Sequence, residues 1–292
     1  MLNDAADAPG KNPRAPNFSG RRCFADLLPR VLSAIVLMAA ALVSVWQGGL
    51  VFDLIWLGAA FAVACEWQNL IAAPHRRLRF FLVGVGLVVS AYLAGKAWFG
   101  TACSLLGACA LALALAAGPG RRIWAIGGIV YAGSLLVSAA ALHGSAEYGA
   151  RSIVWLFATV WGTDVFAYFG GRVIGGAKLW PKISPSKTWS GTLTGVLAGA
   201  FLGAVTGVQG LGDPWRALPL FVLGLAAAAV SQGGDIFESW VKRRFGAKDS
   251  GGLIPGHGGF MDRLDGFIAA AAFAALFGAT RGSASIAAGL FD

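Results

Sequence analysis

Nine apolar runs separated by short polar connections dominate the 292-residue sequence, near positions 31–46, 50–66, 80–98, 102–118, 123–142, 152–170, 189–209, 218–237 and 260–279. A hydrocarbon layer of ~30 Å takes a helix of roughly 17 to 25 residues, so runs of this length at this spacing constrain the fold strongly. The pattern predicts an all-α polytopic membrane protein of about nine transmembrane helices. Composition agrees. Charged residues make up 13% of the chain and hydrophobic residues 57%, against about 25% charged in an average soluble domain. The 42 glycines suit close helix approach in lipid.

Charge segregation gives the runs a direction. With the N-terminus inside, 19 of the 23 Lys and Arg fall on the cytoplasmic side, around residues 11–30, 76–79, 121–122, 172–187 and 242–263. The other face keeps Lys96, Arg151, Arg216 and Arg281. The positive-inside rule then places the N-terminus in the cytoplasm, and the cytoplasmic (inner) membrane is the expected location. The formal net charge of +9 reads as topology and contact with anionic lipid, and no nucleic-acid partner is expected. Residues 1–20 read as a disordered polar tail, 21–150 as N-terminal transmembrane helices and 151–292 as a C-terminal transmembrane region that holds the candidate site residues. No cleavable signal peptide is expected, because the first apolar run follows Arg21, Arg22 and Arg30 without a cleavage site.

Cys23, Cys65, Cys103 and Cys109 have no CxxC spacing and read as buried small hydrophobes. Trp46, Trp67, Trp98 and Trp240 lie near run ends, as an interfacial belt requires. Glu66 closes the second run and reads as an interfacial acid with Arg76 or Arg77 as its partner, with a role at the site as the alternative.

Two polar islands interrupt the pattern. The second, residues 235–265, holds ten charged side chains in 31 positions. A solvated loop carries such a run without chemistry. Here, however, Asp235 ends one apolar run while Asp262 and Asp265 open the next, and acids at a membrane edge mark functional sites. Between them the glycines 251, 252, 256, 258 and 259 allow close backbone approach to a ligand, and Lys242, Arg243 and Lys248 supply phosphate donors. Carboxylates beside a cationic, glycine-rich loop suit Mg²⁺-dependent phosphoryl or nucleotidyl transfer, since Mg²⁺ takes one or two protein carboxylates and completes its shell with water and phosphate. In the first island, residues 161–191, Asp164 shares a helical face with Tyr168, which leaves a plain structural hydrogen bond open. The following loop has four cations and Ser184, Lys187 and Thr188 at the start of a helix, where free N–H groups favour an anion.

These islands resemble the phosphatidate cytidylyltransferase, or CDP-diacylglycerol synthase, family. The resemblance rests on Ser239-x-Val241-Lys242-Arg243-x4-Lys248-Asp249-x-Gly251-x2-Ile254-Pro255-x-His257-Gly258-Gly259-Phe260-x-Asp262-Arg263-Leu264-Asp265. It rests also on Asp164-x2-Ala167-Tyr168-x2-Gly171-Arg172, Lys178-Leu179 and Ser184-Pro185-x-Lys187-Thr188-x-x-Gly191. The chain has Ser190 where family members usually carry glutamate, so no role for that acid carries over.

The resemblance implies that CTP and phosphatidate are joined into CDP-diacylglycerol and pyrophosphate at a cytoplasm-facing polar active site among membrane lipid. It implies Mg²⁺, alone or with a second cation, and is compatible with a homodimer. Asp235, Asp262 and Asp265 are the expected metal ligands, with Asp249 as an alternative to Asp265. Lys248, Asp249 and His257 join the catalytic set, with His257 a proton donor to pyrophosphate, a phosphate hydrogen-bond donor or only a loop residue. Arg172, Lys178, Ser184, Lys187, Thr188, Lys242, Arg243, Arg263 and Asp164 form the expected substrate-binding set. A membrane kinase, a cytidylyltransferase for a prenyl lipid and an ion-coupled transporter are the rivals. Acids gathered with cations at one face favour the enzyme over the transporter, whose acids belong near mid-bilayer.

Overall fold

The computed structural model describes residues 20–254 and 258–292, with side chains from residue 31 onward. The expected tail, up to residue 19, lies outside the described residues, as does His257. Long helices follow in order as α1 (Gly20–Gln47), α2 (Gly49–Leu70), α3 (Arg76–Gly95), α4 (Phe99–Ala117), α5 (Arg122–His143) and α6 (Gly149–Val173). A hairpin of β1 (Lys178–Trp180) and β2 (Ser184–Thr188) leads into α7 (Trp189–Val208), α8 (Ala217–Arg244), α9 (Met261–Thr280) and the short α10 (Ala288–Phe291). Eight of these helices, among the described residues, are long and apolar enough to cross a membrane, and α1 contributes the shorter apolar segment Val31–Gln47. The protein is a polytopic helical membrane protein, as the apolar runs predict.

The polar connections alternate between two ends of the bundle. At one end, Trp67 near the close of α2 donates its indole N–H to Trp124 O at the start of α5, 2.7 Å away. Arg121 lies over the Phe245 ring just past α8 at the same end. At the other end, Phe52 at the start of α2 stacks on His143 at the close of α5, with centroids 3.8 Å apart. Both islands fall at the first end, on the side where the Lys and Arg gather.

Small residues set the closest helix contact. Glycines 191, 195, 199, 203 and 207 recur every fourth position along α7 and form one stripe against α6. A Cβ on Gly199 would lie 2.1 Å from Thr163 Oγ1 and 2.5 Å from Thr159 O, and one on Gly195 would lie 2.5 Å from Thr163 O. Lipid tails give helices no hydrophobic reason to associate, so backbone approach of this kind provides the packing. Threonine hydroxyls stay inside the helix, with Thr163 Oγ1 donating to Thr159 O at 2.6 Å.

Three expectations need correction. Residues 178–188 form an antiparallel hairpin and not a loop, with Lys178 opposite Thr188 and Trp180 opposite Ser184. Trp67 is a core residue at 1% exposure, lying flat on Gly127 and Gly128, whereas Trp46, Trp98 and Trp240 are exposed as the interfacial belt requires. Cys103 is exposed, while Cys65 and Cys109 are partly buried.

Candidate active site

Helices α8 and α9 cross through two glycines. A Cβ on Gly234 would lie 2.6 Å from Asp265 O, and one on Gly266 would lie 2.5 Å from Ser231 Oγ. Asp235 and Asp265 each neighbour one of these glycines in sequence, so the close crossing brings their carboxyl groups into contact. One turn further toward the loop, Glu238 and Asp262 meet in the same way. Helix α8 runs on to Arg244, past its expected end near residue 237, and this extension gives Lys242 its place. Its Nζ lies 2.8 Å from Glu238 Oε2 and 2.7 Å from Asp262 Oδ1.

Backbone from the glycine-rich loop completes the setting of Asp262. Gly259 N donates to Asp262 Oδ2 at 2.8 Å, and Ser250 N approaches both carboxylate oxygens at 3.1 and 3.2 Å. From across the bundle, Glu66 reaches the same loop. Its Oε1 accepts from Phe260 N, and its Oε2 accepts from Met261 N and Ser250 Oγ, all within 2.9 Å. Glu66 therefore has loop backbone as its partner and not the expected Arg76 or Arg77.

The first island reaches the second through the hairpin. Lys187 on β2 extends its ammonium to Asp235, with which it forms an ion pair, and to Gln232 Oε1 at 3.1 Å. Gln232 Nε2 in turn donates to Asp164 Oδ1 at 3.3 Å. Tyr168, the alternative partner for Asp164, instead accepts from Arg172 Nη1 at 3.0 Å. The start of α7 is capped by its own side chain, because Thr188 Oγ1 takes the N–H of Gly191 at 3.1 Å. Ser190 Oγ bonds Gly175 O and so ties α7 to the turn before the hairpin.

A cavity of about 1270 Å³ opens beside this network. Asp164, Arg172, Lys187 and Thr188 from the first island line it, as do Asp235, Asp262, Arg263 and Asp265 from the second. Ser186, Thr192 and Gln232 add further polar groups, and α1 and α2 contribute a broad apolar wall that includes Leu37, Met38, Ile55, Trp56 and Ala59. Other expected residues stand away from the cavity wall. Lys248 and Asp249 are exposed on the loop, Arg243 donates to Ala247 O at 3.1 Å, and Lys178 and Ser184 lie on the hairpin outside the lining. Lys242 does not line the cavity either, because Glu238 and Asp262 engage its ammonium.

Gln232 and Glu238 had no assigned role from the sequence, though both stand on the Asp235 face of an otherwise apolar helix at i−3 and i+3. Glu238 is 1% exposed, and its Oε1 has no hydrogen-bond partner among the described residues. Among the described residues no group of three or more His, Cys, Asp or Glu forms a ready metal cage. The donor set still fits Mg²⁺, which needs only one or two carboxylates beside water and phosphate. Two carboxylates side by side repel one another, and a cation between them relieves the repulsion; Asp235 and Asp265 both lie on the cavity wall, where such a cation would fit.

Residues 28–280 match the model of the Cytidylyltransferase family. The chain belongs to that family. This cytidylyltransferase-family chain is 40% identical over 256 residues to a phosphatidate cytidylyltransferase of Brucella abortus, covering 87% of this chain and 94% of the relative. Proteins of the same name from Haemophilus influenzae and Helicobacter pylori are 30% and 32% identical, covering 86% and 82% of this chain and 98% and 87% of their own lengths. Both islands and nearly all the spans fall inside the matched region.

Proposed function

We propose that this chain is a Mg²⁺-dependent phosphatidate cytidylyltransferase, converting CTP and phosphatidate to CDP-diacylglycerol and pyrophosphate. One observation carries the reading: the acids and cations of both islands share the wall of one cavity with a broad apolar lining from α1 and α2. That is the shape required when one substrate is a lipid with an anionic head and the other is a nucleotide triphosphate.

The reaction needs no enzyme-bound nucleophile, because a phosphate monoester with a second pKa near ~6 is largely ionised at neutral pH. A phosphatidate oxygen attacks the α-phosphorus of CTP, the new P–O bond forms in line, and the bond to the bridging oxygen breaks to release pyrophosphate. Positioning and charge stabilisation are the tasks left to the protein. Asp235 and Asp265, with Asp262 adjacent, are the residues that would hold Mg²⁺. When bound, the metal spreads the negative charge that builds up in the displacement. Lys187, now paired with Asp235, has its ammonium at the place where an incoming phosphate can take over that charge. Arg172 and Arg263 add guanidinium forks on the same wall. Lys242 neutralises Glu238 and Asp262 and keeps the latter aimed. The 19-to-4 split of basic residues orients this end of the bundle toward the cytoplasm, where nucleotides are.

Purified protein in detergent, given CTP labelled in the cytidine and dioleoyl phosphatidate, tests the reading. Label passing into lipid only with phosphatidate present, and with Mg²⁺, is the expected result. Transfer of the γ-phosphate instead, or preference for a prenyl monophosphate, would replace it with one of the rivals.

A further inference from the structure

We propose that Glu66 is a positioning residue for the reaction: from α2 it caps the N-terminus of α9 and thereby sets the aim of Asp262 and Asp265. The proposal rests on the cytidylyltransferase reading for its catalytic consequence, but not for its structural one.

Helix α9 begins without a side-chain cap of its own. The first N–H groups of a helix need acceptors, and an acid there also meets the positive end of the helix dipole. Glu66 meets this need from 194 and 195 residues away, accepting from Phe260 N at 2.9 Å and Met261 N at 2.8 Å. It is 3% exposed, and its third donor is Ser250 Oγ at 2.9 Å. Ser250 thereby serves two acids, because its backbone N–H approaches Asp262. The packing leaves no slack. A Cβ on Gly259 would lie 2.1 Å from Ser250 Oγ and 2.4 Å from Glu66 Oε2, and one on Gly251 would lie 3.0 Å from Glu66 Oε1. Glycine at these two positions is what lets the loop close onto the carboxylate.

Helix α2 also forms part of the apolar wall of the cavity. Ile55, Ala59 and Ala62 line the cavity and precede Glu66 at intervals of three and four, which places all four on one face of α2. Glu66 thus joins the apolar wall of the cavity to the loop that carries the acids.

Glu66→Gln tests this in the full-length protein in detergent. Its amide nitrogen presents a donor toward groups that are themselves donors, so at least one of the three bonds is lost. Amide hydrogen exchange at Phe260 and Met261 should accelerate at least tenfold, while Ala132 and Leu135 in the core of α5 keep wild-type protection. The kcat for CDP-diacylglycerol formation should fall at least tenfold, with KM for phosphatidate changing less than threefold. Ser250→Ala should move the same readouts in the same direction by less. Because the serine hydroxyl acts through Glu66, adding it to Glu66→Gln should lower kcat no further. Unchanged exchange at Phe260 and Met261 would overturn the capping role whatever the substrate proves to be. Accelerated exchange with kcat per folded molecule at the wild-type value would overturn the positioning role. An activity loss matched by loss of protection throughout α5 would reduce Glu66 to a general stability residue and overturn both. Absence of cytidylyl transfer by the wild type would strike the catalytic reading alone and leave the exchange test standing.

Discussion

Replacing Gly199 by alanine adds one methyl group where the backbones of α6 and α7 are in close contact. The new Cβ would sit 2.1 Å from Thr163 Oγ1, 2.5 Å from Thr159 O and 2.9 Å from Thr163 N. Two of these are backbone atoms, so a rotamer change cannot relieve them. A carbon approaches a carbonyl oxygen to about 3.3 Å, so the helices must part by roughly 1 Å. Overpacking of this kind costs about 1 to 3 kcal/mol. Thr163 is followed directly by Asp164 on the cavity wall, and α7 follows directly on the strand that carries Lys187. A displacement near 1 Å at a reacting centre lowers rate by about 10²-fold. Gly199→Ala should therefore melt earlier in detergent and lose most cytidylyl transfer even well below its melting temperature. The control is Gly107→Ala on α4, where nothing lies within 4 Å of the added carbon. Helix propensity there favours alanine by up to ~1 kcal/mol, so this variant should be neutral or slightly stabilised. A Gly199→Ala protein with wild-type melting and turnover would refute the claim that backbone contact between α6 and α7 sets the geometry of the first island.

Asp235→Asn and Asp262→Asn should each abolish turnover while the protein still inserts and elutes as folded material, because an amide lacks the charge that anchors a metal; near-wild-type activity would remove that residue from the metal role. Lys187→Ala should lower kcat/KM by about 2 kcal/mol, roughly thirtyfold, since its charge-assisted contact lies on the cavity wall. Lys248→Ala, on the exposed loop, should lose no more than about fivefold, with the loss vanishing at high salt; equal effects of the two, measured in micelles without anionic lipid, would return Lys187 to the status of a surface cation. For topology, cysteines placed singly at Ser186 and Ser283 in a background without the native cysteines should label with an impermeant reagent from opposite sides, and labelling of Ser186 in intact cells would reverse the orientation.

The spans were legible because hydrophobic length is local information, and eight of the nine expected centres need nothing beyond it. The end of α8 was not. Glu238, Lys242 and Arg244 look like loop residues by hydropathy, yet the i,i+4 ion pair of Glu238 with Lys242 and the contact to Asp262 keep the helix wound through them. The hairpin was missed for a related reason. Its strands are three and five residues long, and Ser184-Pro185-Ser186 carries no alternating apolar pattern. What holds it in place includes the bond from Trp189 N to Ala177 O and the reach of Lys187 to α8. The acids of α8 and α9 were readable as a group from their crowding in one island. Which of the cations joined them was not, because that depends on where the loop turns: Lys187 from a different island lines the cavity, while Arg243 and Lys248 in the same island do not. Glu66 was visible as a lone acid ending an apolar run, but a partner almost two hundred residues distant leaves no trace in sequence spacing.

That distance bears on how the protein is made. Glu66 leaves the ribosome 194 residues before Phe260, and at about 5 to 20 residues per second the interval is roughly 10 to 40 seconds. During that time α2 must wait in the membrane with a carboxylate whose three donors have not been synthesised. A buried acid without partners is strongly disfavoured, so the end of α2 that carries Glu66 has reason to stay at the water interface until α9 arrives. Arrival of the last long helix then supplies the donors that Glu66 lacks, so the seating of α2 and the closure of the glycine-rich loop belong to the same late step of assembly.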